Sequence, residues 1–71
     1  EVTAAVARVR RNAEGKAVIT LDNGQVWTQI DVARSSRVEV GGIVHVRHAA
    51  LGSFMMSVEA GGPALRVRRT Q

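Results

Sequence analysis

The side chains best placed to do chemistry in this 71-residue chain are its arginines. Nine of the ten basic residues are Arg, and the formal net charge is +4. The guanidinium is a planar fork that pairs bidentately with carboxylates and phosphates, whereas lysine is the better solubiliser. The candidate binding residues are Arg8, Arg10 and Arg11 near the start, Arg47 in the middle, and Arg66, Arg68 and Arg69 near the end. A basic domain of this kind suits an acidic protein surface, nucleic acid, or an anionic lipid or glycan. The plain alternative is an arginine-rich strand face that is simply solvated.

Catalytic signals are thin. His45 and His48 are the only histidines. Three residues apart on a strand, they point to opposite faces and do not chelate one metal together without a bulge. Ser35, Ser36, Ser53 and Ser57 have no neighbouring base, and nucleophile motifs are absent. The six carboxylates (Glu1, Glu14, Asp22, Asp31, Glu39, Glu59) fall mostly at turns, where capping and solubility explain them. The glycine pairs Gly41-Gly42 and Gly61-Gly62 lack the strand–loop–helix context of a phosphate loop. With no cysteine there is neither a disulfide nor a thiolate metal site. The expectation is a protein that is not an enzyme and takes no cofactor.

The elements that must position the arginines read as β-strands. Leu21-Asp22-Asn23-Gly24-Gln25-Val26-Trp27 is the strongest turn signal, because Asn-Gly between β-branched runs accepts the positive φ of tight hairpins. Two registers compete. A two-residue Asn23-Gly24 turn sets Ile19 opposite Thr28. A three-residue Asp22-Asn23-Gly24 loop, with Gly24 as the bulge residue, sets Ile19 opposite Trp27. The second is favoured because it brings the largest side chain beside Ile19. A one-residue slip exchanges the faces, so the choice decides whether Trp27 is core or surface.

The remaining strands fall around this hairpin. Val2–Arg11 reads as the first strand, with a phase change between Val6 and Val9 that implies a bulge or bend. Asn12–Lys16 is a turn, Ala17–Leu21 the second strand and Gln25–Val32 the third. Asp31–Arg37 reads as a loop or a short helical turn. Val40-Gly41-Gly42 is a tight turn feeding a strand from Ile43 to His48, with Val44 and Val46 inward and His45 and Arg47 outward. Ser53–Val58 is the fifth strand, with Phe54 and Met56 on one face. Ala64–Arg69 is the last, with Leu65 and Val67 inward and Arg66 and Arg68 outward.

Five or six short strands in a single 71-residue domain predict a small antiparallel all-β barrel, SH3-like or related. Both ends are basic β segments, so the first and last strands are expected side by side, joining Arg8, Arg10 and Arg11 to Arg66, Arg68 and Arg69 in one face. Met55 and Met56 follow Phe54. Either one of them forms an exposed, adaptable contact, or both faces are covered at a barrel corner. Trp27 joins them as a candidate apolar contact. The core is light, built on Val and Ala with two aromatics, which favours burial against a protein partner or a second copy. No stretch reaches the length of a membrane span. The chain begins at Glu1, which reads as a processed chain or a fragment of a longer protein.

Four blocks in order carry a resemblance. They are Val9-Arg10-Arg11-Asn12, Ile19-Thr20-Leu21-Asp22-Asn23-Gly24-Gln25-Val26-Trp27, Ala49-Ala50-Leu51-Gly52-Ser53-Phe54, and Arg66-Val67-Arg68-Arg69. Over nearly its whole length the chain resembles the C-terminal domain of a family of exported proteobacterial proteins of uncharacterised function. Two positions depart from that pattern: Thr28 stands where the family usually has arginine, and Gly42 where it usually has aspartate. The resemblance implies export to the periplasm or cell envelope and supplies no catalytic residues. The expectation is therefore a non-catalytic interaction or assembly module of the envelope or an extracellular assembly. The competing expectation is a small-barrel nucleic-acid binder, which would be cytoplasmic, using the arginine face.

Overall fold

The first strand, β1 (Val2–Arg11), is twice as long as most of the others and serves two neighbours. Its first half pairs antiparallel with β4 (Ile43–His48), Val2 opposite Val46 and Ala5 opposite Ile43. Its second half pairs with β2 (Ala17–Leu21), Arg8 opposite Thr20 and Arg11 opposite Ala17. The register shifts between Val6 and Arg8, leaving Ala7 as the extra residue. This is the expected bulge. It bends β1 so that one strand can close onto two sheet segments.

The computed structural model describes residues 1–31 and 38–71, the Leu51 side chain excepted. Beyond Asp31, the expected loop over Asp31–Arg37 and the far end of the third strand at Val32 lie outside the described residues. Three further strands complete the described fold: β3 (Val26–Gln29), β5 (Phe54–Val58) and β6 (Leu65–Arg69). A single 3₁₀ turn, Ala50–Gly52, joins β4 to β5. The strands form a closed barrel in the order β1, β2, β3, β6, β5, β4 and back to β1, every pairing antiparallel. The expected small all-β barrel is therefore the fold. Two three-stranded meanders, β1–β2–β3 and β4–β5–β6, meet along β1/β4 and β3/β6.

The β2–β3 hairpin takes the three-residue loop. Gly24 N–H donates to Leu21 O at 3.0 Å and Leu21 N–H to Gln25 O at 2.9 Å. Gly24 sits at φ +91°, a conformation that L side chains resist. Ile19 then faces Trp27, and both turn inward. The barrel is filled by alternate residues of every strand, with Ile19, Leu21, Met56, Leu65, Val44 and Val67 essentially sealed from solvent. Trp27 is 3 % exposed. Its ring meets Phe54 edge-on at 5.1 Å, and Phe54 meets His48 at 5.0 Å.

Two expectations fail here. The first and last strands are not neighbours, because β1 and β6 stand three places apart in a ring of six. Basic ends do not dictate closure. The barrel closes instead through β1/β4 and β3/β6, which bury apolar faces in register. Met56 and Trp27, both named as candidate contacts, are also core residues, Trp27 in the inward place that the favoured register gives it. Met56 faces Val46 and Leu65 across the sheet, and strand alternation sends it inward.

Candidate functional site

The ring order divides the arginines between two walls. On the outer side of the second meander, Arg47 on β4 faces Met55 on β5, and Met55 faces Arg66 on β6. Directly paired residues share a face, so Arg47, Met55 and Arg66 form one row across three strands. At about 4.8 Å per strand, the two arginine Cα atoms flank the methionine within about 10 Å. Arg68 stands two residues along β6 on the same face and pairs with Thr28 of β3. Arg47, Arg66 and Arg68 are exposed and Met55 is half-buried. Arg66 Nη1 donates to Ser53 Oγ at 2.8 Å, which steadies that guanidinium on the wall.

Arg8 and Arg10 lie elsewhere. They project from the outer side of β1 beyond the bulge, opposite Thr20 and Val18 of β2. Arg11 and Arg69 belong to neither wall. Both fall at strand ends in the inward phase, opposite Ala17 and Trp27. Their side chains satisfy local carbonyls, Arg11 Nη1 donating to Gly15 O at 3.2 Å and Arg69 Nε to Gln71 O at 2.9 Å. The single arginine face expected from the sequence is thus replaced by two separate ones.

No strand position on either wall is Asp or Glu, although the Glu59 carboxylate reaches His45 on the outer side of β4 and Asp31 holds the Arg66 N–H. Asp22, Glu14 and Glu59 sit in turns and Asp31 follows β3. Among the described residues the one ion pair is His45 Nε2 to Glu59 Oε1 at 3.3 Å. No guanidinium of Arg8, Arg10, Arg47 or Arg68 finds a hydrogen-bonding or ionic partner among the described residues. Arginines kept clear of carboxylates within the chain are open to carboxylates or phosphates of another molecule.

One buried polar chain, not singled out in the sequence, fixes the β6 end of the wall. Gln29 is 5 % exposed, the one buried polar residue in the described core. Its Oε1 accepts the Ala17 N–H at 3.1 Å, and its Nε2 donates to Asp31 Oδ1 at 3.2 Å. Asp31 Oδ2 accepts the Arg66 N–H at 3.1 Å. Gln29 thereby ties β2 to the start of β6, where Arg66 is anchored. The available signal was alternation, since Gln29 shares the face of Trp27.

The histidines separate as expected. His45 lies outward and His48 ends β4 in the inward phase beside Phe54. Thr3 Oγ1 lies 3.0 Å from His45 Nδ1. With Glu59 on Nε2, these three have the order of nucleophile, base and orienting acid. The His45 and Glu59 side chains are 35 % and 65 % exposed, however, and the line lies across an open outer wall where nothing excludes water. Its evident work is structural, tying β1 and β4 to the β5–β6 turn. Among the described residues no cluster of three metal-ligating side chains forms. No helix among them is long and apolar enough to cross a membrane.

Comparison with protein-family models, with curated proteins and with solved structures finds no match to this chain.

Proposed function

We propose that the domain is a non-catalytic docking module that binds an acidic protein surface through the β4–β5–β6 wall, within an envelope or extracellular assembly. The observation that carries this reading is the row Arg47–Met55–Arg66, with Arg68 beside it and no Asp or Glu at any strand position of the wall. Arginine and methionine are enriched at protein interfaces, and lysine, nearly missing from this chain, is depleted there. Met55 offers a soft apolar contact between two guanidinium forks. Likeness to SH3-like barrels rests on size, strand number and closure. The envelope location rests on the resemblance of the Leu21–Trp27 and Leu51–Phe54 blocks.

Nucleic acid is the weaker partner for this wall. Sequence-tolerant binding of single strands uses exposed aromatic platforms. Here Trp27 is in the core and Phe54 packs against it.

The test is an NMR titration of the labelled chain at low salt, with an oligoglutamate peptide and with single-stranded DNA of matched charge. Saturable shifts centred on Arg47, Met55 and Arg66 are expected with the peptide. The R47Q/R66Q variant should bind it at least about tenfold more weakly, a loss of about 1.4 kcal/mol. Tighter binding of the DNA at equal ionic strength, or peptide shifts away from this wall, would overturn the proposal. Cell fractionation checks the location, and a full-length protein confined to the cytoplasm would refute it.

A further inference from the structure

We infer that the barrel carries a second, independent wall for the same class of acidic partner, built on Arg8 and Arg10, so that one domain bridges two acidic chains. This rests on the reading of the first wall and extends it. The starting point is the bulge. In the first half of β1 the even positions point inward, Ala4 and Val6 being buried. Continued without interruption, that alternation would drive Arg8 and Arg10 into the core. The extra residue at Ala7 reverses the phase. Val9 now packs against the core, while Arg8 and Arg10 stand exposed on the outer side.

The ring order then sets direction. β1 lies opposite β6, and β2 lies opposite β5. Arg8 and Arg10 therefore face away from Arg66, and Arg47, on the neighbouring β4, stands by the opposite end of β1, next to the Val2–Val46 pair, on a body with extents of 27 × 27 × 25 Å. Arg66 and the Arg8/Arg10 pair, facing apart, cannot share one short ligand. The surroundings of the two walls differ at the centre, where Met55 is half-buried and open to contact while the corresponding apolar residue of the second wall is covered. Arg10, Val18 and Thr28 form one outer row, and Arg8, Thr20 and Val26 form the next. Val18 lies in the outward phase yet is only 6 % exposed, and it stands apart from the core cluster. The second wall thus sets two guanidinium groups beside a covered apolar side chain and two hydroxyls. No carboxylate occupies these strand positions, and neither Arg8 nor Arg10 is paired among the described residues. Charge complementarity again selects an acidic polypeptide.

Calorimetric titration with a short oligoglutamate peptide tests this. Two peptides per domain are expected for the wild type. One is expected for R8Q/R10Q and one for R47Q/R66Q, with circular dichroism confirming that each variant keeps the fold. Mixed with long poly-L-glutamate, the wild type should cross-link it and scatter light, while each double variant should bind without cross-linking. One peptide per wild-type domain, lost only in R47Q/R66Q, would overturn the second wall and leave the first standing. Absence of binding by every form would overturn both.

Discussion

Exchanging Gln29 for glutamate alters one atom pair in the core, and its cost can be worked from the geometry. The new carboxylate can still accept the Ala17 N–H, which Gln29 now holds at 3.1 Å. It cannot donate to Asp31 Oδ1, which Gln29 Nε2 reaches at 3.2 Å. Two carboxylates at that distance would repel by about 5 kcal/mol at an effective dielectric of about 20. The pair avoids that by keeping a proton, so the folded-state pKa of the new group rises above its unfolded value near 4.3. Below about pH 4.3 both states hold the proton and the variant should match the wild type. Above it the folded state binds more protons, and stability falls by about 1.4 kcal/mol per pH unit until the folded-state pKa is passed. At pH 7 the loss reaches at most about 3.7 kcal/mol, against a total stability of about 4–11 kcal/mol for a domain this size. Urea unfolding followed by Trp27 fluorescence from pH 4 to 8 measures it. The Q29E/D31N double variant restores a donor opposite the new carboxylate and should recover most of the loss. Equal stability of Gln29→Glu and wild type at pH 7, or a loss that does not vary with pH, would refute the proposed buried chain from Ala17 to Arg66.

Three further outcomes follow from the fold. Trp27→Ala should cost about 3–5 kcal/mol, as a large buried aromatic truncation does, leaving the chain barely folded in a far-UV circular dichroism melt. Gly24→Ala meets no atom within 4 Å but keeps a φ of +91°, so it should cost about 1–2 kcal/mol through backbone strain alone. That would appear as a lower urea midpoint with an unchanged slope. Deleting Ala7 should leave Arg8 and Arg10 outward, because Arg8 then follows Val6 directly in regular alternation, but it removes the bend by which β1 serves both β4 and β2 and should lower the urea midpoint. A cooperative transition near the wild-type midpoint would count against the bulge.

Local features of this fold were legible in the sequence because local chemistry decides them. Asp22 before Asn23-Gly24 selected the three-residue hairpin loop, and with it the inward placement of Trp27. The step from Val6 to Val9 gave away the bulge, since an inward face cannot otherwise change phase within one strand. Met56 was within reach too, because it shares a face with Phe54. Closure was not legible. Whether β1 meets β4 or β6 depends on pairings between residues some forty positions apart, and a period-two pattern carries no record of which strand lies alongside which. The arginines were misplaced for that reason. Their outward phase on β4 and β6 could be read from each strand alone, but their grouping belongs to the ring order. Gln29 was missed because a glutamine beside polar neighbours reads as surface until the register puts it behind Trp27.

The bulge at Ala7 and the strand order act together on function. The bulge lets β1 bend from β4 to β2, which closes a barrel too small to leave an edge exposed. Bulging at Ala7 also keeps Arg8 and Arg10 on the outside of that barrel. Closure between β3 and β6, held near its end by Gln29 and Asp31, sets Arg66 and Arg68 on the far side and completes the Arg47–Met55–Arg66 row. A barrel with this little apolar mass has little room to bury a guanidinium. Arg8, Arg10, Arg47, Arg66 and Arg68 are therefore displayed on the outer walls, and the carboxylates all lie outside the strands. The separation of charge between the walls and the loops is a consequence of how the barrel closes.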